Sequence, residues 1–120
     1  LIFKNNFLKI NYILQKMTKL DTYFRQITDN KGICHFLMLQ CNNTNQSDEE
    51  RLEKVKALFS AYSKGVDLYK LAINELEIMV KDGIGFGAKK DEIQYIQDTI
   101  KIFYERLDGV SKDMNTIFNS

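Results

Sequence analysis

Residues 47–83 read SDEERLEKVKALFSAYSKGVDLYKLAINELEIMVKDG, and this stretch decides the fold. Its apolar residues Leu52, Val55, Phe59, Tyr62, Val66, Tyr69, Ile73, Leu76 and Val80 recur at alternating steps of three and four. An average repeat of about 3.5 residues keeps one narrow stripe turned towards a neighbouring helix. Ser47 and Glu50 form a capping box at the start, and Asp48 and Glu49 suit the positive end of the helix dipole. Gly65 costs about 1 kcal/mol in a helix interior. The heptad phase passes through it intact, so one helix is expected from Ser47 to Lys81, with Asp82-Gly83 closing it. Leu58, Ala61, Leu68, Leu71, Ala72 and Ile78 widen the stripe, and a helix with a wide apolar face sits between two neighbours.

Downstream the same rhythm returns at Ile93, Ile96, Ile100, Phe103, Leu107, Val110, Met114 and Ile117, which predicts a helix from about Lys89 to Phe118. The connection Gly83-Ile84-Gly85-Phe86-Gly87 is short, and short connections between long helices imply antiparallel neighbours. Phe86 is expected to fold back as a plug on the end of the bundle.

Upstream, Phe3, Phe7, Ile10 and Leu14 keep the spacing, and Ile13, Met17, Leu20, Phe24 and Ile27 resume it after a slip of one position. A slip rotates the stripe, so this helix, residues 1 to about 28, changes neighbours midway. Thr28-Asp29-Asn30-Lys31-Gly32 has the polar and glycine residues that end helices. Ile33 to Cys41 then reads as a short helix, apolar on nearly all sides, before the polar loop Asn42 to Gln46. The expected fold is all-α: an antiparallel bundle of three long helices plus one short apolar helix, forming a single domain over residues 1–120.

Composition agrees. Hydrophobic residues are 44%, charged residues 28%, and proline is absent, as suits a mostly helical chain. Net charge is +1, with six Lys and Arg against two acids in residues 1–46. That density is too dilute for nucleic acid, and a solvated helix face accounts for it. The Ile33–Leu39 run is too short to span a bilayer, and Lys4 and Asn5 interrupt the opening residues, so no secretory signal is read there. A chain that opens on Leu1 rather than Met reads as a partial or processed product.

No catalytic, cofactor or metal signature stands out, and the chain reads as non-enzymatic. Gly83, Gly85 and Gly87 before Lys89-Lys90 match neither the dinucleotide fingerprint nor the P-loop, and a helix precedes them. Cys34, His35 and Cys41 are too few and wrongly spaced for zinc. Buried free thiols are expected, which favours a reducing, cytoplasmic setting. His35 reads as a core or boundary residue, and Glu75 and Glu77 as wet-face charges. Two N-x-[ST] sequons, at Asn42 and Asn45, support the alternative of a secreted or surface helical ligand or host-factor binder.

Two segments resemble the microtubule-interacting and trafficking (MIT) domain, a three-helix adaptor of AAA ATPases. Tyr69-Lys70-Leu71-Ala72-Ile73-Asn74-Glu75-Leu76 is similar to a pattern in its second helix, and Tyr104-Glu105-Arg106-Leu107-Asp108-Gly109-Val110 to the end of its third. The likeness covers about residues 50–117 and leaves residues 1–46 without a counterpart. It implies an adaptor that accepts an amphipathic helix from a membrane-scission subunit along the last helix, with Tyr104 and Arg106 among the contacts. The family turns between its first and second helices, whereas the rhythm here runs on through Gly65. The residues alone point to the same helix, where Tyr95 and Ile102 flank the core stripe and offer apolar surface to a partner helix. Self-association through the heptads competes with that reading.

Overall fold

The computed structural model describes residues 2–85 and 87–118, with side chains described from Ile10 onward. Among the described residues there are three helices and no strand: α1 (Ile2–Cys41), α2 (Asp48–Gly85) and α3 (Lys90–Phe118). Phe86 and the side chains of Phe3 and Phe7, to which roles are assigned above, lie outside what is described.

α2 runs unbroken through Gly65, in keeping with its heptad phase. Ser47 Oγ accepts a hydrogen bond from Glu50 N at 3.2 Å, the side-chain half of the expected cap. Its other end lies beyond Gly83. Ala88 N donates to Gly83 O at 2.8 Å and Gly87 N to Ile84 O at 3.2 Å. Gly87 has φ of 77°, so this is a Schellman closure with glycine at the left-handed position.

α1 corrects the expected layout. Thr28 to Gly32 does not end it, and the segment from Ile33 to Cys41 is not a separate short helix but the last turns of α1. The physical reason is tertiary. Asn30 is buried, and its Nδ2 donates to the Ala61 carbonyl of α2 at 2.9 Å. Thr28 Oγ1 donates back to Phe24 O at 3.0 Å, within the helix. Both polar side chains are thus occupied in ways that suit a continuing helix. The true end of α1 is capped by Gln46, whose Nε2 donates to Gln40 O at 2.9 Å and Asn43 O at 2.8 Å.

Pairings along α1 and α2 run in opposite sequence order. Tyr12 bonds Asp82, Lys16 and Lys19 meet Glu75, and Asn30 bonds Ala61. α3 follows the other flank of α2: Tyr104 bonds Glu77, Phe103 meets Tyr69 at 5.9 Å between ring centroids, and Phe118 meets Tyr62 at 6.4 Å. α2 is therefore the middle helix, as its broad apolar face implies, and holds nine of the buried residues, against Phe103 alone for α3. The core has two parts. Leu20, Tyr69, Ala72, Ile73, Leu76 and Phe103 form one, and Cys34, Cys41, Leu58 and Tyr62 the other. Gly65 and Asn30 lie between them. A Cβ at Gly65 would meet Asn30 Oδ1 at 2.6 Å, so glycine is required for this close approach.

Glu75 is a second correction. It is 5% exposed rather than on a wet face, and its carboxylate oxygens meet Lys19 Nζ at 2.8 Å and Lys16 Nζ at 3.0 Å. The bond to Lys19 holds the Glu75 carboxyl below its usual range, with the bond to Lys16 adding to this against the opposing effect of burial.

Two outcomes are expected. Gly65→Ala should lower the melting temperature, because the Asn30 amide is displaced from Ala61 and left buried. In an Asn30→Ala background the same change should raise stability by up to about 1 kcal/mol, from helix propensity alone; the same sign in both backgrounds would refute the contact. A carboxyl depressed in the folded state contributes stability above its unfolded value, near 4.3. That contribution is lost as pH falls through the lower folded value. The stability gap between wild type and Glu75→Gln, read by urea unfolding, should therefore be widest near neutral pH and shrink in acid; a gap constant with pH would contradict this.

Candidate functional groove

α1 and α3 both lean on α2 but stand apart from each other. Among the described residues no Cα of α1 comes within 8 Å of a Cα of α3. The molecule measures 68 × 21 × 14 Å. With a helix Cα radius of about 2.3 Å, a 21 Å breadth allows the outer helix axes at most about 16 Å of separation, and the lack of any close Cα pair keeps them wider apart than packed helices. Packed helices lie at about 8–10 Å. The two outer helices are thus walls of a groove, and α2 is its floor.

Between them lies a cavity of about 640 Å³, with Tyr62, Gly65 and Tyr69 of α2 beneath it. Ile27, Lys31, Cys34 and His35 line it from α1, and Arg106, Val110 and Asp113 from α3. Phe24 and Phe103 touch across its edge at 5.2 Å between centroids, and the Arg106 guanidinium lies 5.6 Å from the Phe103 ring. A smaller space of about 160 Å³ lies further along, between Tyr12 and Ile13 of α1 and Ile93 and Ile96 of α3.

Helical spacing extends the walls. Met17 is seven residues before Phe24, and Ile10 seven before Met17, so both share the edge of α1 that points to α3. Ile10, Leu14 and Met17 are each 56% exposed, although the heptad reading places them in the stripe. On α3, Tyr95, Ile102 and Arg106 fall at i, i+7 and i+11, which is one edge. Tyr95 is 75% exposed and Ile102 45%.

The four sequence-derived contact residues therefore divide. Tyr95, Ile102 and Arg106 share the groove edge of α3. Tyr104 is on the opposite edge, where its hydroxyl donates to Glu77 Oε1 at 2.8 Å. That bond holds the Tyr104 hydroxyl above its usual pKa. Sequence reading missed the α1 wall. The one signal for it was the slip between Leu14 and Ile13, since a rotated stripe leaves one set of apolar residues off the packed face.

Other candidates resolve simply. Cys34 and Cys41 are buried free thiols, and burial pushes the Cys34 thiol up. His35 is exposed on the cavity rim rather than in the core or at its boundary. The N–H groups of Gly87 and Ala88 are spent on closing α2. Among the described residues no group of His, Cys, Asp and Glu is placed to hold a metal, and no helix is long and apolar enough to cross a membrane. No family model, curated protein or solved structure matches the chain.

Proposed function

We propose that this chain is a non-enzymatic protein-interaction module, an antiparallel three-helix bundle that takes up a partner's amphipathic helix between α1 and α3. The observation that carries the reading is the open groove itself. Two walls with no close backbone approach, at most about 16 Å apart over an apolar floor, leave the space of one helix in a four-helix bundle. Ile10 and Met17 on one wall and Tyr95 and Ile102 on the other supply apolar anchors at helical spacing. A docked helix would bury them and close the bundle. An MIT-like adaptor is the specific form of this reading. Its binding mode carries over to the Tyr95–Ile102–Arg106 edge, with Tyr104 left outside the contact. The alternative, a secreted or surface helical ligand, draws on Asn42 and Asn45, which are exposed in the α1–α2 loop.

A displayed library of amphipathic helices about 30 residues long, with apolar heptad positions fixed and the rest randomised, tests the groove against the intact chain. Binders are expected to emerge. The double change Tyr95→Ser and Ile102→Ser should weaken them at least about tenfold, while melting moves by no more than about 0.5 kcal/mol in stability, because both residues are exposed. A large loss of stability with affinity unchanged would place these residues in the core and the site elsewhere.

A further inference from the structure

The groove has a charge pattern at its centre that selects among helices. Lys31 of α1 and Arg106 of α3 line the same cavity from opposite walls. Among the described residues neither forms an ion pair, although five other ion pairs are present. The Arg106 guanidinium lies over the face of Phe103 and forms no hydrogen bond among the described residues, which leaves its N–H donors available. Asp113 lines the cavity too, yet pairs with neither cation, so the cavity keeps a surplus of positive charge. The hydroxyls of Tyr62 and Tyr69 on the floor have no hydrogen-bond partner among the described residues, and His35 adds a ring donor at the rim. Two unpaired cations and three further donors therefore converge on one half-enclosed space with a single carboxylate among them. Towards the Tyr95 end the walls expose Met17, Tyr95 and Ile102. A carboxylate seated at the centre would gain charge-assisted hydrogen bonds in a water-poor setting, where they are strongest.

We propose that the helix this groove accepts is acidic at its middle: an aspartate or glutamate lies between Lys31 and Arg106, and apolar residues about one to four turns away pack on Ile102, Tyr95 and Met17. This rests on the groove reading above. It names the partner's chemistry, an amphipathic helix with a central carboxylate, rather than a basic or uniformly apolar one.

The library already described supplies the test. Sequences recovered on wild type should be enriched in Asp or Glu at one central position, and the enrichment should vanish on the K31Q/R106Q variant. A synthetic binder with that acid changed to Gln should bind wild type about tenfold more weakly, and K31Q/R106Q with little change. Arg106→Lys should keep part of the preference, and affinity should fall with added salt. Melting curves confirm that the variants fold, since both side chains are exposed. If binders emerge and depend on Tyr95 and Ile102 but show no acidic preference, the charge inference fails and the groove stands. If no amphipathic helix binds, both fail. If light scattering finds a dimer that Ile102→Ser dissolves, a second copy fills the groove and the inference is overturned.

Discussion

Position 65 has no side chain, and the packing of α1 on α2 depends on that. The Asn30 amide oxygen occupies the space a Cβ would take, and the amide nitrogen reaches the Ala61 carbonyl. This one contact explains three features. It turns Asn30 inward, so a residue that often ends helices lies within one. It brings α1 and α2 close at mid-length. It also divides the core, with Leu58 and Tyr62 on one side and Tyr69 to Leu76 on the other. A buried polar contact costs desolvation and contributes little net stability, but it is specific about register. The ion cluster of Glu75 with Lys16 and Lys19 makes a second such mark along the same helix pair.

The groove follows from where these marks lie. Both join α1 to α2, and the α2–α3 pair is held instead by aromatic contacts of Phe103 and Phe118 and by the Tyr104–Glu77 bond. α1 and α3 meet only through long side chains such as Phe24 and Phe103. Each outer helix is positioned by α2 separately, and nothing draws their backbones together. The apolar residues on their facing edges remain exposed as a result.

Much of this is legible in the residues and some is not. The heptads of α2 and α3 placed both helices, the continuity at Gly65 and most of the inward faces, because a packed stripe must repeat with the helix; Leu52 and Phe59 of the α2 stripe are exposed. Ser47 marked the start of α2 through its own side chain. The failures share a cause. Asn30 and Glu75 were read by local rules, as a breaker and a wet-face charge, whereas partners about 31 to 59 residues away decide their roles. Tyr95 and Ile102 were legible as flank residues because α3 has one neighbour and a clean stripe. Met17 and Leu14 were not, since a stripe that slips does not say which half stays packed. Arg106 and Lys31 meet only through the fold, so no spacing in the sequence could pair them.

The two walls are not equally firm. α1 is joined to α2 by a buried amide, a buried carboxylate and apolar residues from both core clusters. α3 has Phe103 as its one buried residue, and its other inward side chains, from Ile93 to Ile117, are half-buried. Shifting α3 breaks no buried polar contact, whereas shifting α1 leaves Asn30 and Glu75 unpaired, so α3 moves at lower free energy than α1. The span between the walls is then set by the weaker partner. The molecule behaves as a stiff two-helix jaw with a compliant third helix, able to admit side chains of different bulk without disturbing the contact at Gly65.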